Sequence, residues 1–247
     1  MAVVEKTIDI IGDAAFCNMI LSRKIPEGLP VDIYDEAVRI LRNYALRGMS
    51  GLQSLHMPNV TTCNYYSLHD CASLKTVIME NCTRVEERAF QGCYGLETVT
   101  MPKLTFIGTC GFAGSGTSQL TELEFPELLT LSELGLYTLP RLTRFVAPKL
   151  KSLSNSAFYA DVGLTQLDFP SLQTVYGSPF SNCANLEVIN FGPNLTSVSS
   201  NMLKDTPAGI VVNLPFEEGH FSAAPWGNAD AVINYGVPYS GDVPMPT

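Results

Sequence analysis

The chain has 247 residues, 46% of them hydrophobic and only 16% charged, so it is long and apolar enough to bury a large core. Its net charge is −9 with a pI near 4.8, a balance that repels a phosphate backbone and lacks the lysine and arginine clusters that nucleic acid or anionic lipid requires. No stretch reaches the eighteen or so apolar residues of a membrane span, so neither nucleic-acid binding nor membrane insertion is expected.

The amino terminus, MAVVEKTIDIIGD, has acidic residues where a secretory signal would be basic and then continuously apolar. No export signal is expected in it. Residues 1 to 33 also hold a strand-like TIDII and a proline-bounded loop, IPEGLPVD. In the next stretch, YDEAVRILRNYALR, the residues Ala37, Val38, Ile40, Leu41, Tyr44 and Leu46 fall largely at helical spacing, with Asp32 or Asp35 available as N-cap. This spacing predicts a capping helix that closes an N-terminal segment, residues 1–47.

From Leu52 onward one phrase returns, Leu-x-x-apolar-x-apolar. Its lead leucines are Leu52, Leu74, Leu96, Leu120, Leu142, Leu164 and Leu186, in steps of 22, 22, 24, 22, 22 and 22 residues, and a degenerate eighth copy is centred on Val212, Leu214 and Pro215. Such a period marks a solenoid, in which no copy can bury its apolar face alone. In the copy LETVTMPKLTFIG the apolar Leu96, Val99 and Met101 flank the polar Thr98 and Thr100, the period of two of a half-buried strand. Each coil therefore adds a strand to a parallel sheet on one face. Prolines end these strands at Pro58, Pro102, Pro126, Pro148, Pro170 and Pro193, because proline has no N–H for the ladder. Apolar points follow eight and eleven residues after the lead leucine, as at Leu104 and Ile107, implying a second short extended segment. Another comes at sixteen, at Leu68, Phe90, Phe112, Leu136, Phe158 and Phe180, whose rings are expected to stack along the axis.

Solenoids need caps over their end coils. Beyond residue 215 Trp226, the single tryptophan, reads as a plug, and Val232, Ile233 and Tyr235 as a final edge strand, giving a C-terminal β cap and tail over 216–247. The tail GVPYSGDVPMPT reads as mobile or bound to a neighbour. Of seven cysteines, Cys71, Cys93 and Cys183 share one place in their coils, nineteen residues after the lead leucine. They read as buried free thiols acting as small hydrophobes, with no C-x-x-C pair for a metal. The glycine-rich GFAGSG at Gly111 to Gly116 lacks a following lysine and reads as the bulge of the 24-residue coil.

The outward strand positions form two columns along the sheet. One runs Ser54, Thr76, Thr98, Glu122, Arg144, Gln166, Val188, Val211, and the other His56, Ile78, Thr100, Glu124, Val146, Asp168, Asn190, Asn213. From these the candidate binding residues are His56, Thr98, Thr100, Glu122, Glu124, Arg144, Gln166, Asp168 and Asn190. Carboxylates such as Glu122, Glu124 and Asp168 can serve in glycoside hydrolysis or hold calcium. On an exposed sheet they are ordinarily solvated charges, so no catalytic residue, metal or cofactor is expected.

The blocks RAFQGCYGL and SAFYADVGL, followed by L-x-x-apolar-x-apolar-Pro, closely resemble the BspA-type leucine-rich repeat over some 170 residues, residues 48–215. Departures are Glu80 in place of a proline, and Leu136 and Leu139 in place of phenylalanine and cysteine. The segment IVVNLPFEEGHFSAAPWGNADAVINYG is similar to the close of such proteins in gut bacteria and their phages. The resemblance implies a leucine-rich-repeat solenoid of about eight coils that is not an enzyme but a recognition or structural module for a protein or surface glycan. It points to a phage virion component, tail-associated and assembled with other virion proteins, ahead of a bacterial cell-surface adhesin.

Overall fold

A computed structural model describes residues 31–114 and 118–244. The leading TIDII, the first loop and the tip of the glycine-rich bulge lie outside the described residues. The strands follow one another coil by coil: β1 (Val31–Tyr34) and β2 (Ile40–Leu41), β3 (Leu52–His56) and β4 (Thr62–Cys63), β5 (Thr76–Ile78) and β6 (Arg84–Val85), β7 (Thr98–Thr100) and β8 (Phe106–Ile107), β9 (Glu122–Glu124) and β10 (Thr130–Leu131). The remainder are β11 (Arg144–Val146) and β12 (Ser152–Leu153), β13 (Gln166–Phe169) and β14 (Thr174–Val175), β15 (Val188–Phe191) and β16 (Ser197–Val198), β17 (Val211–Asn213) and β18 (Val232–Asn234). The chain is thus a stack of about nine turns, most with one longer and one two-residue strand, and every strand pairing recorded between turns is parallel.

Three backbone rails hold consecutive turns together. The two-residue strands form one unbroken eight-stranded sheet from β2 to β16. The longer strands form sheets of four, two and four strands: β1-β3-β5-β7, β9-β11 and β13-β15-β17-β18. The continuous face expected from the sequence is therefore interrupted twice among the described residues. The first break, between β7 and β9, coincides with the coil carrying two extra residues. The third rail is made of turns. Leu68 N–H donates to the Ala89 carbonyl, Phe90 to Gly111, Phe112 to Gly135, Leu136 to Ala157 and Phe158 to Pro179, at 2.8 to 2.9 Å. These turns need left-handed backbone at a recurring place, taken by Tyr66, Arg88, Cys110, Leu134 and Ser156 at φ 54–56°. Each such residue costs about 1 kcal/mol or more and persists because the cross-turn bonds fix it.

The predicted N-terminal helix is absent; no helix occurs among the described residues. Residues 31–51 instead form a further coil. Ile33, Val38, Leu41 and Leu46 are buried at the spacings of Leu55, Val60, Cys63 and Leu68 one turn later. Ile40 and Tyr44, which a helix would have buried, are 42% and 48% exposed. The cause lies in the amides: Tyr44, Leu46 and Gly48 donate to Tyr65, Ser67 and His69 of the next turn, where a helix would have closed them on itself. Asp35 does cap, with Oδ1 accepting from the Ala37 and Val38 N–H groups at 2.6 and 2.9 Å, but what it caps is a turn.

The interior is one file of lead leucines and their partners, nearly all under 2% exposed. Phe90 and Phe112 stack at 4.8 Å between centroids, and Phe158 and Phe180 at 6.2 Å. Leu136 separates the two pairs, so the aromatic stack is two short runs. At the far end Trp226 is fully buried, its Nε1 donating to the Ser222 carbonyl at 3.1 Å, and Leu203 N–H bonds to its carbonyl. The edge strand β18 pairs with β17 through Val232, Ile233 and Asn234.

Cysteines at the shared position do more than fill space. Cys71, Cys93 and Cys183 donate S–H to the carbonyls of Leu46, Leu68 and Phe158 at 3.1, 3.1 and 2.9 Å. Burial raises the Cys93 and Cys183 thiols well above their ordinary range. In the turn just before Cys183, Asp161 takes the cysteine's place. Its Oδ1 accepts from Leu139 N–H at 2.6 Å, while its Oδ2 is buried with no partner.

Burial holds the Asp161 carboxyl well above the carboxylate range, against the Leu139 N–H, which favours the charge. The folded chain therefore keeps a proton that the unfolded chain releases above about pH 4, and stability falls as pH rises from there. Asp161→Cys restores the residue used in the equivalent turns. Its melting temperature should exceed the wild type's by an amount that grows from pH 4 to pH 7. Parallel melts at the two pH values read this, and a pH-independent difference would contradict it.

Candidate functional site

The parallel register brings the outward columns together as predicted. Glu122 faces Arg144, Glu124 faces Val146, Gln166 faces Val188, and Asp168 faces Asn190. Thr98 and Thr100 lie on β7 opposite Thr76 and Ile78. The face nevertheless divides into three regions of different character, because the surroundings of the columns change along the stack.

At the first turns His56 Nε2 lies 3.1 Å from Glu80 Oε1, and the Tyr34 ring meets the imidazole edge-on at 4.9 Å. Glu80 stands where five other turns have proline, so the departure from the repeat supplies the partner of His56. Sequence reading had not paired them. Ser54 donates to Asp32 Oδ1 at 2.6 Å in the same region.

In the middle Thr98, Thr100, Glu122, Glu124 and Arg144 are exposed. Arg144 Nη1 lies 3.8 Å from Glu122 Oε2 and 3.7 Å from Glu124 Oε2, with all three side chains more than half exposed. Such pairs hold geometry loosely and contribute little to stability. This is the open part of the face.

The last turns differ. Asn190 Nδ2 donates to Asp168 Oδ1 at 2.7 Å, Asn213 Nδ2 to Asn190 Oδ1 at 2.7 Å, and Asn234 Nδ2 to Asn213 Oδ1 at 2.8 Å. The amides form a polarised ladder ending on a carboxylate. Gln166 Nε2 reaches both Asp168 oxygens at 3.1 and 3.0 Å. Asp168 and Asn190 are 7% and 6% exposed, not solvated as their outward position suggested. The described part of the C-terminal tail folds back to meet Asp168. Asp242 N–H donates to Asp168 Oδ2 at 2.9 Å. The tail's aromatic and glycine residues had given no sequence signal for this return.

Among the described residues, no group of three or more histidine, cysteine or acidic side chains is arranged to hold a metal ion, and no helix is long and apolar enough to cross a membrane. The described cysteines Cys63, Cys71, Cys82, Cys93, Cys110 and Cys183 are free and buried.

A regular stack of leucine-led turns with strand, proline and a buried Phe–Cys block defines the class as a leucine-rich-repeat solenoid. The chain belongs to the BspA type leucine rich repeat region family, which matches it in six copies over residues 30–139 and 117–216. Among solved structures it is similar to a leucine-rich repeat protein from Bacteroides ovatus, at 15% identity and a TM-score of 0.64, covering 97% of this chain and 66% of that one. It is also similar to a leucine rich cell surface protein from Faecalibacterium prausnitzii, at 22% identity and a TM-score of 0.47 over 76% of this chain and 43% of that one. A third is a leucine rich repeat protein of T. pallidum, at 18% identity and a TM-score of 0.43, covering 74% of this chain and 78% of the other. The chain thus spans about two thirds or less of the first two structures it matches. No curated protein matches the sequence.

Two substitutions separate the ordered from the open part of the face. Asn190→Ala removes one donor from the buried Asp168 carboxylate and the acceptor of Asn213, and should cost about 1 to 3 kcal/mol. Arg144→Ala breaks only exposed pairs and should cost less than about 1 kcal/mol. Urea unfolding of the two variants checks the order; equal losses would contradict it.

Proposed function

We propose that this chain is a non-catalytic recognition module that presents the outward face of its longer strands to a protein or a cell-surface glycan. The observation that carries this reading is the register within each sheet: outward side chains repeat at the parallel-strand spacing of about 4.8 Å, leaving Thr98 and Thr100 at the edge of one sheet and Glu122, Glu124 and Arg144 on the next open to solvent. A rigid, pre-ordered polar surface lowers the ordering cost of binding. Leucine-rich repeats generally serve as protein-binding scaffolds, which supports the reading without naming a partner.

Of the carboxylates that could suggest a glycosidase, Asp168 is buried in hydrogen bonds and Glu122 and Glu124 lie loosely beside one arginine. Asp168 accepts from Gln166, Asn190 and Asp242, and Glu122 and Glu124 share Arg144. This supports a structural and electrostatic role for them. The setting we favour is attachment to a host surface as part of a phage virion, with a bacterial cell-surface adhesin as the alternative. Immunogold labelling of purified phage particles with antibody to the chain distinguishes these two.

The face itself is tested with a glycan array and with binding to gut bacterial envelopes. Thr100→Trp and Glu124→Lys should each weaken whatever binding the wild type shows by tenfold or more, whereas Lys151→Glu, on the exposed surface of another side of the stack, should leave it unchanged. The reverse pattern would place recognition elsewhere. Sugar release by the wild type that disappears in Glu124→Gln would overturn the non-catalytic reading.

A further inference from the structure

Burial on the outward face is confined to one stretch of one column. Val146, Asp168 and Asn190, consecutive in that column, are 6%, 7% and 6% exposed, while Thr100 and Glu124 just before them are exposed. None of the three is in the interior: Val146 is buried yet stands outside the hydrophobic file that fills the solenoid, and so does Val243 of the tail, at 5% exposure. The segment that meets this stretch, at Asp168, is residues 237–244 folded back onto the sheet.

That segment is held as a bound peptide would be. Asp242 N–H donates to Asp168 Oδ2 at 2.9 Å, and Tyr239 hydroxyl donates to the Val243 carbonyl, closing the segment on itself. A Cβ on Gly241 would press into both the Asp168 carboxylate and the Tyr239 hydroxyl, so only glycine allows the backbone this close. The receiving side is held by hydrogen bonds among the solenoid's own strands. Asp168 is oriented by Gln166 and Asn190, and Asn190 is oriented in turn by Asn213 and Asn234. A carboxylate this buried needs every donor it can gather, and the one donor drawn from outside the solenoid strands is the tail's N–H.

We propose that the trough over Val146, Asp168 and Asn190 is a recognition site for an extended peptide with a glycine followed by an N–H donor, then an aliphatic side chain, and that residues 237–244 occupy it in cis as a strap. A partner segment of the same chemistry enters only when the strap leaves. This rests on the sheet face being the recognition surface, and it assigns the partner class and the regulation to one end of it.

The test uses the full-length chain and a fluorescent peptide of sequence VPYSGDVP, residues 237–244. Asp242→Pro deletes the donated N–H, and Gly241→Leu blocks the close approach by a different route. Wild type should bind the peptide at least tenfold more weakly than either variant, because its site is filled. Adding Asp168→Ala to Asp242→Pro should again weaken binding tenfold or more. Amide exchange at residues 237–244 should accelerate in both single variants. Release of the strap with no gain in peptide binding would overturn the proposal while leaving recognition by the open Thr100–Glu124 region standing. A wild-type dimer that dissociates on Asp242→Pro would overturn occupancy in cis, since the tail would then be exchanged between copies.

Discussion

The whole structure depends on where the backbone N–H groups of the turns go. In an isolated 22-residue coil they would have no protein acceptor, and buried amides without partners are costly. Here they are donated to the neighbouring coils: the left-handed turns give to the following coil, as Leu68 does to Ala89, the two-residue strands to the preceding one, as Glu86 does to Cys63, and the longer strands in both directions. Every coil is thereby both template and client of its neighbours. Stability is the sum of such interfaces, and the end coils are the natural weak points.

The side chains follow from this spacing. Once the rails fix consecutive turns at strand separation, residues at equal places in the repeat must meet, and apolar ones merge into a single file. Polar ones do the same on the outside, as in the amide ladder from Asn234 to Asp168. Even the buried thiols are chosen by it: a cysteine at the shared place can donate to a carbonyl of the preceding turn, which an apolar residue could not. Asp161 at that place accepts from Leu139 N–H instead and leaves its second oxygen without a partner.

The period-two strands, the prolines that end them, the interior file, the free thiols and the plug at Trp226 were legible because each rests on side-chain pattern. The first coil was not, although its residues Ile33, Val38, Leu41 and Leu46 stand at the repeat's own spacings. It lacks the lead leucine, and three of its apolar residues also satisfy helical spacing, so local pattern favoured a helix that the next coil's acceptors then overrode. The left-handed turns were hidden for another reason: tyrosine, arginine, cysteine, leucine and serine fill them, and none advertises positive φ. Which outward residues are open was half legible. The columns and the exposure of Glu122, Glu124 and Arg144 followed from alternation, whereas Asp168 is met by a tail more than seventy residues away in sequence.

The functional reading inherits the same logic: a face built from register is as regular as the stack beneath it. The stack is tested most directly by pulsed-dipolar distance measurement between spin labels at Lys75 and Glu187, exposed and equivalent residues five turns apart. Stacking at about 4.8 Å per turn predicts a narrow distribution near 24 Å, shortening by about 4.8 Å when the first label moves to Glu97. A broad distribution, or a distance that does not shorten with that one-turn step, would contradict the stacked-coil structure.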